Sequence, residues 1–456
     1  MLRLAGSLPI YPARVSSLCY LLLMIGGGLL LALPMSRAKE EPLAAIDCLF
    51  TATSAVSVTG LGVVSTRNDF SWFGQLVILT LIQIGGIGIM TLTTFVVFQL
   101  RERASLRHQA IVGETLGVKG MTDLGWVLRT VVLGTLVCEG IGAAALFPVF
   151  LTRHGVADAA WHAVFHAVSA YCNAGFALQD DSLVAYANSP WCNTVVAGLI
   201  VVGGIGFPVQ LDLLRAYRDV RRRRRPELQL HTKLTLLGYA IFFAIGFGAT
   251  AWFEWRGALA HLAPSDRLMA AAFHSVSCRT AGFNTVDLTT MAPASLLVSM
   301  ILMTIGAGSC SCGGGVKVST VMVLLGHSLA RLRGRRHLNL FRRTISGGLM
   351  ERALASTMVF LVIAGICLTA LLSLPRAGGA YPDDSTFLVD AFEVVSALGT
   401  VGLSIGATAE LSTTGKLLVI VLMFLGRVGP IVVFSGVSLP RGGRQLEYAH
   451  EEPLLG

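Results

Sequence analysis

One short pattern recurs four times along the 456-residue chain and closes on glycine each time. It reads Phe50-x3-Ser54-x5-Gly60, Phe165-x3-Ser169-x5-Gly175 and Phe392-x3-Ser396-x5-Gly402; the third copy in chain order, Phe273-x3-Ser277-x4-Gly282, is one residue shorter. Each copy lies in a weakly hydrophobic stretch between two long apolar runs. Four re-entrant segments, each closing on a glycine, can surround one axis in a membrane. That is the layout of an ion pore. A lone copy would be read as a glycine-bearing turn that packs helices, but four copies in register are hard to explain so.

Composition points the same way. Hydrophobic residues make up 54% of the chain and charged ones only 13%, where a soluble domain carries about 25% charged residues. The apolar runs are about twenty residues long, enough to cross a bilayer core as helices. Spanning helices are expected near 15–34, 72–99, 124–151, 191–214, 233–255, 292–326, 353–374 and 414–437. The run Leu18–Leu33 could pass for a signal-peptide core, but it lacks a convincing small-x-small cleavage site and is long enough to span. One motif copy falls within each successive helix pair. The expected fold is therefore an all-α polytopic membrane protein of four pseudo-symmetric helix–re-entrant pore loop–helix repeats around one central pore. The repeats are 1–100 (pore loop 43–64), 101–215 (159–178), 216–330 (266–286) and 331–456 (386–406, with the C-terminal tail). Duplicated units of this kind often build a transport site at their interface.

Charge sets the orientation. Arg101, Arg103, Arg107 and Lys119 follow the first unit; Arg215, Arg218, Arg221 to Arg225 and Lys233 follow the second. Arg331, Arg333, Arg335, Arg336, Arg342, Arg343 and Arg352 follow the third. All three groups share one side, which the positive-inside rule makes cytoplasmic, with both termini. The motif segments then enter from the outer face, where Asp180, Asp181, Asp383 and Asp384 lie. The net charge of +9 is thus mostly topological. Arg221 to Arg225 read as an anchor on anionic lipid headgroups rather than as a nucleic-acid site. The nine cysteines are irregularly spaced and suggest no disulfide framework. Cys310 and Cys312, without nearby His or further Cys, make a weak metal pair.

A cation that crosses must exchange its hydration shell for oxygen ligands. Rings of backbone carbonyls provide them, in shapes that regular helix cannot adopt. Glycine permits positive φ and close approach, and non-helical backbone is tolerated at membrane depth only where it is buried or lines a cavity. Residues 43–57, 159–172, 266–278 and 386–398 are short amphipathic stretches that can descend as half-helices, their negative ends toward the axis. The carbonyls would come from Val58, Thr59 and Gly60; Asn173, Ala174 and Gly175; Thr280, Ala281 and Gly282; and Thr400, Val401 and Gly402.

Three further features stand out. Gly306, Gly308, Gly313, Gly314 and Gly315, followed by Lys317, interrupt the sixth apolar run. Each glycine costs a helix interior about 1 kcal/mol relative to alanine, so the stretch is either a kink at a close helix contact or an intramembrane loop. Arg427 lies within the last apolar run; an ionisable residue there faces a cavity or partner, or snorkels to the headgroups. Asp47, Asp390 and Glu393 open half-helices one and four. They either gather cations at the outer mouth or cap the helices. His166 and His274, each next to a motif phenylalanine, read as hydrogen-bonding packers.

The motif strings themselves are Thr53-Ser-Ala-Val-Ser-Val-Thr-Gly-Leu61, Tyr171-Cys-Asn-Ala-Gly-Phe176, Arg279-Thr-Ala-Gly-Phe-Asn-Thr285 and Leu398-Gly-Thr-Val-Gly-Leu403. They resemble the selectivity-filter loops of the Trk/Ktr/HKT potassium-transporter superfamily, over nearly the whole chain. Eight helices, Leu81-Ile-Gln-Ile-Gly-Gly-Ile-Gly-Ile-Met90 and Gly426-Arg-Val-Gly-Pro430 look like the Ktr-type membrane subunit. The resemblance implies a single-chain pseudo-fourfold pore in a bacterial inner membrane that dimerises and passes potassium, in some members sodium too. It implies K+ at the filter residues, no covalently bound cofactor, and a separate cytoplasmic nucleotide-binding ring (KtrA/TrkA-like) as regulator. Sodium-preferring members often carry serine at the first filter glycine; here it is Gly60. The family also has a gating loop at the position of residues 306–317, with Lys317 matching its basic residue. Ser309, Cys310 and Cys312 depart from its usual pattern. By the same resemblance, Arg427 projects into the pore below the filter and contacts that loop. A different class, an alternating-access coupled transporter, would need acids amid its helices, and Glu139 is the clearest candidate. A membrane-embedded enzyme would need clustered His, Asp or Glu, and the sequence offers no such cluster.

Overall fold

The computed structural model describes residues 12–103, 124–335, 337–377 and 386–429. The expectations placed on Arg107, Lys119, Arg336, Asp383, Asp384 and the last helix beyond residue 429 lie outside the described residues, as do the side chains of Arg101 and Arg103. Each unit contributes a helix, a half-helix and a second helix, and the breaks fall in the second members. The first unit is α1 (Pro12–Ala32), α2 (Ala45–Ser57) and α3 (Trp72–Arg103). The second is α4 (Leu124–Leu151), α5 (Val156–Tyr171), α6 (Pro190–Ile205) and α7 (Phe207–Arg221). The third is α8 (Leu230–Glu254), α9 (Pro264–Ser277), α10 (Pro293–Thr304) and α11 (Val318–Leu332). The fourth is α12 (Gly347–Leu372), α13 (Phe387–Gly399), the single turn α14 (Ala407–Glu410) and α15 (Thr413–Val428).

Among the described residues, Arg129–Leu151, Leu230–Glu254 and Gly347–Leu372 are long and apolar enough to cross a membrane, and α6 with α7 would make one more span. Only 17% of the apolar window of α12 is buried. Its exposed Leu354, Met358, Leu361, Val362 and Ile366 form an apolar surface that suits lipid. The half-helices α2, α5, α9 and α13 have 13, 16, 14 and 13 residues. At 1.5 Å per residue they reach only about 20–24 Å. Their inner ends are packed into the core: the motif phenylalanines Phe50, Phe165, Phe273 and Phe392 are all buried.

One expected span is corrected. Residues 191–214 do not form one helix; α6 and α7 meet at 102°. Gly206 between them has φ +90°, and Pro208 has no N–H to give to Gly204 O, so α6 cannot run on through it. Proline is welcome in the first turn of the new helix because it has no N–H to satisfy there.

The acids of half-helices one and four do not cap them through their side chains. The N-cap positions are Ala44 and Thr386, without side-chain caps. Asp47 pairs with Lys416 Nζ at 2.6 Å, and Asp390, 1% exposed, with Arg376 Nη2 at 2.9 Å. Glu393 is fully buried and accepts from Ser404 Oγ at 2.8 Å and from Thr408 Oγ1. These groups tie half-helices to their flanks. Removing one partner of a buried ion pair costs about 3–5 kcal/mol. Arg376→Met should therefore lower the thermal unfolding temperature in detergent markedly, while Arg376→Met with Asp390→Leu recovers much of the loss. Equal destabilisation of single and double variants would refute the pair.

Candidate functional site

The chain leaves each half-helix through the same backbone shape. Val58, Asn173, Thr280 and Thr400 have φ of 56°, 58°, 69° and 49°, and two residues later Gly60, Gly175, Gly282 and Gly402 have φ of 95°, 70°, 78° and 92°. Left-handed conformation costs an L-residue about 1–2 kcal/mol, and Val58, Thr280 and Thr400 are β-branched, for which it is a true outlier. Four such triplets are held only because their surroundings over-determine them.

The triplets close on one another. A β-carbon on Gly60 would strike Ala174 O and stand 2.9 Å from Gly175 Cα. On Gly175 it would lie 3.0 Å from Gly282 Cα and 3.1 Å from Ala281 O. On Gly282 it would lie 2.5 Å from Val401 O and 3.3 Å from Gly402 Cα, and on Gly402 it would strike Thr59 O and lie 3.1 Å from Gly60 Cα. The contacts run 60 to 175 to 282 to 402 and back to 60. Each glycine abuts the carbonyl of the middle residue of the next triplet, so the ring leaves no room for a side chain.

The motif serines, which sequence reasoning noticed but gave no role, brace this ring. In every copy the serine carbonyl accepts from the N–H of the triplet's middle residue: Thr59 to Ser54 at 2.8 Å, Ala174 to Ser169 at 2.8 Å, Ala281 to Ser277 at 3.0 Å and Val401 to Ser396 at 2.9 Å. The Ser54 and Ser396 hydroxyls accept from Gly60 N–H and Gly402 N–H at 3.0 and 3.1 Å. The Ser169 and Ser277 hydroxyls donate to Phe176 O at 2.7 Å and to Phe283 O. A net hydrogen bond contributes about 1 kcal/mol. Ser54→Ala and Ser396→Ala should each cost about that much in detergent unfolding; unchanged unfolding of both would show the braces to be dispensable. His166 and His274 sit behind the ring as buried packers, His166 Nδ1 2.7 Å from His162 O and His274 Nε2 2.9 Å from Ser299 Oγ.

Beneath the ring lies the glycine stretch, which is a loop between α10 and α11. Its neck is pinched by Gly306 N–H to Val316 O at 2.9 Å and Val316 N–H to Thr304 O at 3.1 Å. Its tip docks on the break between α6 and α7: Gly308 N–H donates to Gly204 O at 2.9 Å and Phe207 N–H to Cys310 O at 3.1 Å. The two interruptions of helix therefore satisfy each other's backbone. A β-carbon on Gly313 would strike Thr280 Oγ1, and one on Gly314 would strike Thr400 Oγ1, so the loop presses directly on two residues of the ring. Gly315 has φ +66°. Lys317 Nζ folds back onto Gly313 O at 2.7 Å and Gly314 O at 3.2 Å.

Arg427, in the last turn of α15, is 3% exposed. It does not snorkel: Nη1 donates to Cys312 O in the loop and Nη2 to Gly85 O at 2.6 Å. The structure thus brings the expected residues into contact: a backbone ring, a loop packed against two of its residues, and a buried arginine bonded to the loop. Glu139, 5% exposed, accepts from Gln83 Nε2 at 2.9 Å and from the thiol of Cys172, the residue before Asn173, at 3.7 Å.

A mostly helical membrane fold with four re-entrant segments converging on a glycine ring defines a membrane transport protein. Residues 26–444 match the family described as TrkH, cation transport protein. The Ktr system potassium uptake protein B of Bacillus subtilis (strain 168) is 39% identical over 427 residues, spanning 93% of this chain and 92% of that protein. The protein of the same description from Vibrio alginolyticus is 38% identical over 451 residues, 97% of this chain and 94% of that one. The potassium/sodium uptake protein NtpJ of Enterococcus hirae is 37% identical over 448 residues, 98% and 97% of the two chains. Among solved structures, the potassium transporter TrkH from Vibrio parahaemolyticus shares the fold with a TM-score of 0.71 at 18% identity, over 93% of this chain and 84% of that one. The chain belongs to the TrkH cation transport protein family, whose members are transporters and not enzymes.

Proposed function

We propose that the protein is the ion-conducting subunit of a bacterial potassium uptake system, with sodium as a secondary permeant ion. The observation that carries this reading is the closed ring in which each of Gly60, Gly175, Gly282 and Gly402 abuts the next triplet's carbonyl. Such a ring can replace the hydration shell of a monovalent cation. Four half-helix C-termini converge on it with negative partial charge. The Thr280 and Thr400 hydroxyls, buried and without a protein hydrogen-bond partner, are oxygens still available to a dehydrated ion. The loop of residues 305–317 acts as the gate, and Arg427 as the electrostatic barrier that also clamps it. The relatives' printed names, potassium uptake and potassium/sodium uptake, support the choice of ions.

In the same reading the chain crosses the inner membrane eight times with both termini in the cytoplasm and works as a homodimer. The basic connections around Arg215–Arg225 and Arg331–Arg352 dock a cytoplasmic nucleotide-binding ring that opens the gate. The test is growth at low potassium of a bacterium stripped of its own potassium uptake systems. Expression with a Ktr-type regulator should restore growth and rubidium uptake. Failure with the protein present in the membrane would overturn the reading.

A further inference from the structure

Three tryptophans, each more than half exposed, mark one level of the molecule: Trp72 at the start of α3, Trp191 at the start of α6 and Trp252 near the end of α8. Tryptophan gathers at membrane–water boundaries, and in the proposed orientation these helix ends lie at the outer headgroup level. There a cavity of about 420 Å³ opens between the end of α4, the turn Val184–Tyr186 and the start of α6. That volume falls within the roughly 300–1,000 Å³ of small-molecule sites. Val149 and the Trp191 ring give it an apolar side, and Trp191 is fixed by its Nε1–H, which donates to Ala145 O at 2.8 Å. Thr152, Arg153 and Ser189 give it a polar side. The Arg153 guanidinium lies over the buried Tyr186 ring, 4.9 Å from its centroid. Among the described residues no carboxylate lies within salt-bridge distance of Arg153. Its charge is therefore unpaired, and its fork of donors suits phosphate. Below the cavity, Leu133, Val137 and Ile141 are exposed to the membrane side of α4. Residues four apart form one ridge of a helix. This ridge continues through Ala145, where Trp191 docks, to Val149 in the cavity wall. An apolar track thus ends at an unpaired cation.

We propose that this cavity binds the headgroup of an anionic phospholipid of the outer leaflet, its phosphate on Arg153 and its acyl chains along the α4 ridge. A zwitterionic headgroup brings its own ammonium group, for which the cavity wall offers no carboxylate. The site also touches the second filter segment through a chain of rings. His154, next to Arg153, stacks on His162 with ring centroids 4.3 Å apart, and Tyr186 Oη lies 3.5 Å from His154 Nε2. His162 O accepts from His166 Nδ1 at 2.7 Å, and His166 Nε2 accepts from Leu178 N–H at 3.4 Å, three residues past Gly175. A headgroup that holds Arg153 against Tyr186 steadies this chain and, through it, the outer limb of the filter segment.

The test uses the full chain, delipidated in detergent, with native mass spectrometry counting retained lipids and thermal unfolding followed as lipid is added back. Phosphatidylglycerol should be retained and should raise the unfolding temperature, and phosphatidylcholine should do both less. Arg153→Gln should unfold like wild type without lipid, hold one phosphatidylglycerol fewer, and need about tenfold more of it for the same rise, as loss of a charged hydrogen bond implies. Arg153→Lys, which keeps the charge, should fall between the two. Equal retention by wild type and Arg153→Gln overturns the site; lipid held by Arg221 to Arg225 is common to both and cancels. Millimolar inorganic phosphate that raises the wild-type unfolding temperature as phosphatidylglycerol does overturns the lipid in favour of a free anion. An Arg153→Gln protein that loses its dimer instead of a lipid assigns the face to a second copy of the chain and overturns the lipid as well. None of these readouts needs ion transport, so failure of the potassium reading leaves the site to stand or fall by itself.

Discussion

Gly60→Ser should abolish potassium uptake at low external potassium and shift any residual transport toward sodium. Gly60 has φ +95°, and a β-carbon there strikes Ala174 O while standing 2.9 Å from Gly175 Cα. Both neighbours are backbone of the next filter segment, so nothing flexible can yield. Relief requires moving Ala174 O out of its place in the ring. The strain alone is about 1–3 kcal/mol, roughly a tenfold change or more in any step that needs the intact ring. The added hydroxyl cannot restore the carbonyl it displaces. Gly62 is the control: its nearest neighbour to a β-carbon is Val64 O at 3.5 Å, an ordinary contact, and Gly62→Ser should transport close to wild type. Rubidium and sodium uptake in the potassium-uptake-deficient strain reads both. Undiminished, still potassium-selective transport in Gly60→Ser would place ion selection elsewhere.

Arg427→Gln should act in the opposite sense, raising ion flux without a regulator. The two guanidinium bonds go to Cys312 O and Gly85 O, carbonyls that hold the group without neutralising it. A cation about 8 Å away would be opposed by roughly 2 kcal/mol at an effective dielectric of about 20, or roughly thirtyfold in rate. Removing the charge removes that barrier and releases the loop from α15. Hydrogen bonds from charged donors contribute about 1.5–3 kcal/mol each, so the unfolding temperature should also fall. Arg427→Lys, which keeps the charge but loses the fork, should leak less than Arg427→Gln. Flux from rubidium-loaded liposomes without any partner measures this. A folded Arg427→Gln protein with no greater flux than wild type would show that the barrier lies elsewhere.

The parts of this architecture legible in the sequence were those that recur. Half-helices expected at 43–57, 159–172, 266–278 and 386–398 form within three residues of those bounds, because the same packing problem is solved four times with the same Phe, Ser and Gly. The glycine-dense interruption was legible for a different reason: no helix interior tolerates that density. What escaped was either singular or long-range. The break at Gly206 sits in an apolar run, and the Gly-Phe-Pro signal at 206–208 was the one mark of it. The positive φ at Val58, Thr280 and Thr400 could not be read from β-branched residues, which avoid it. The partners of Asp47 and Asp390 are Lys416 and Arg376, in the first case 369 residues away. Acids that looked free to collect cations or cap helices were already committed to tertiary pairs.

The most direct measurement is the reversal potential of current through the purified protein in a planar bilayer, with the Arg427→Gln variant to remove the need for a regulator. A carbonyl-ring pore driven only by the ion's own gradient gives a reversal potential that follows the potassium gradient, displaced toward sodium by its weaker permeation, and unmoved by a pH difference across the bilayer. A reversal potential that shifts with the pH difference at constant potassium, or transport that exchanges ions without passing current, would contradict the pore and point to a coupled carrier.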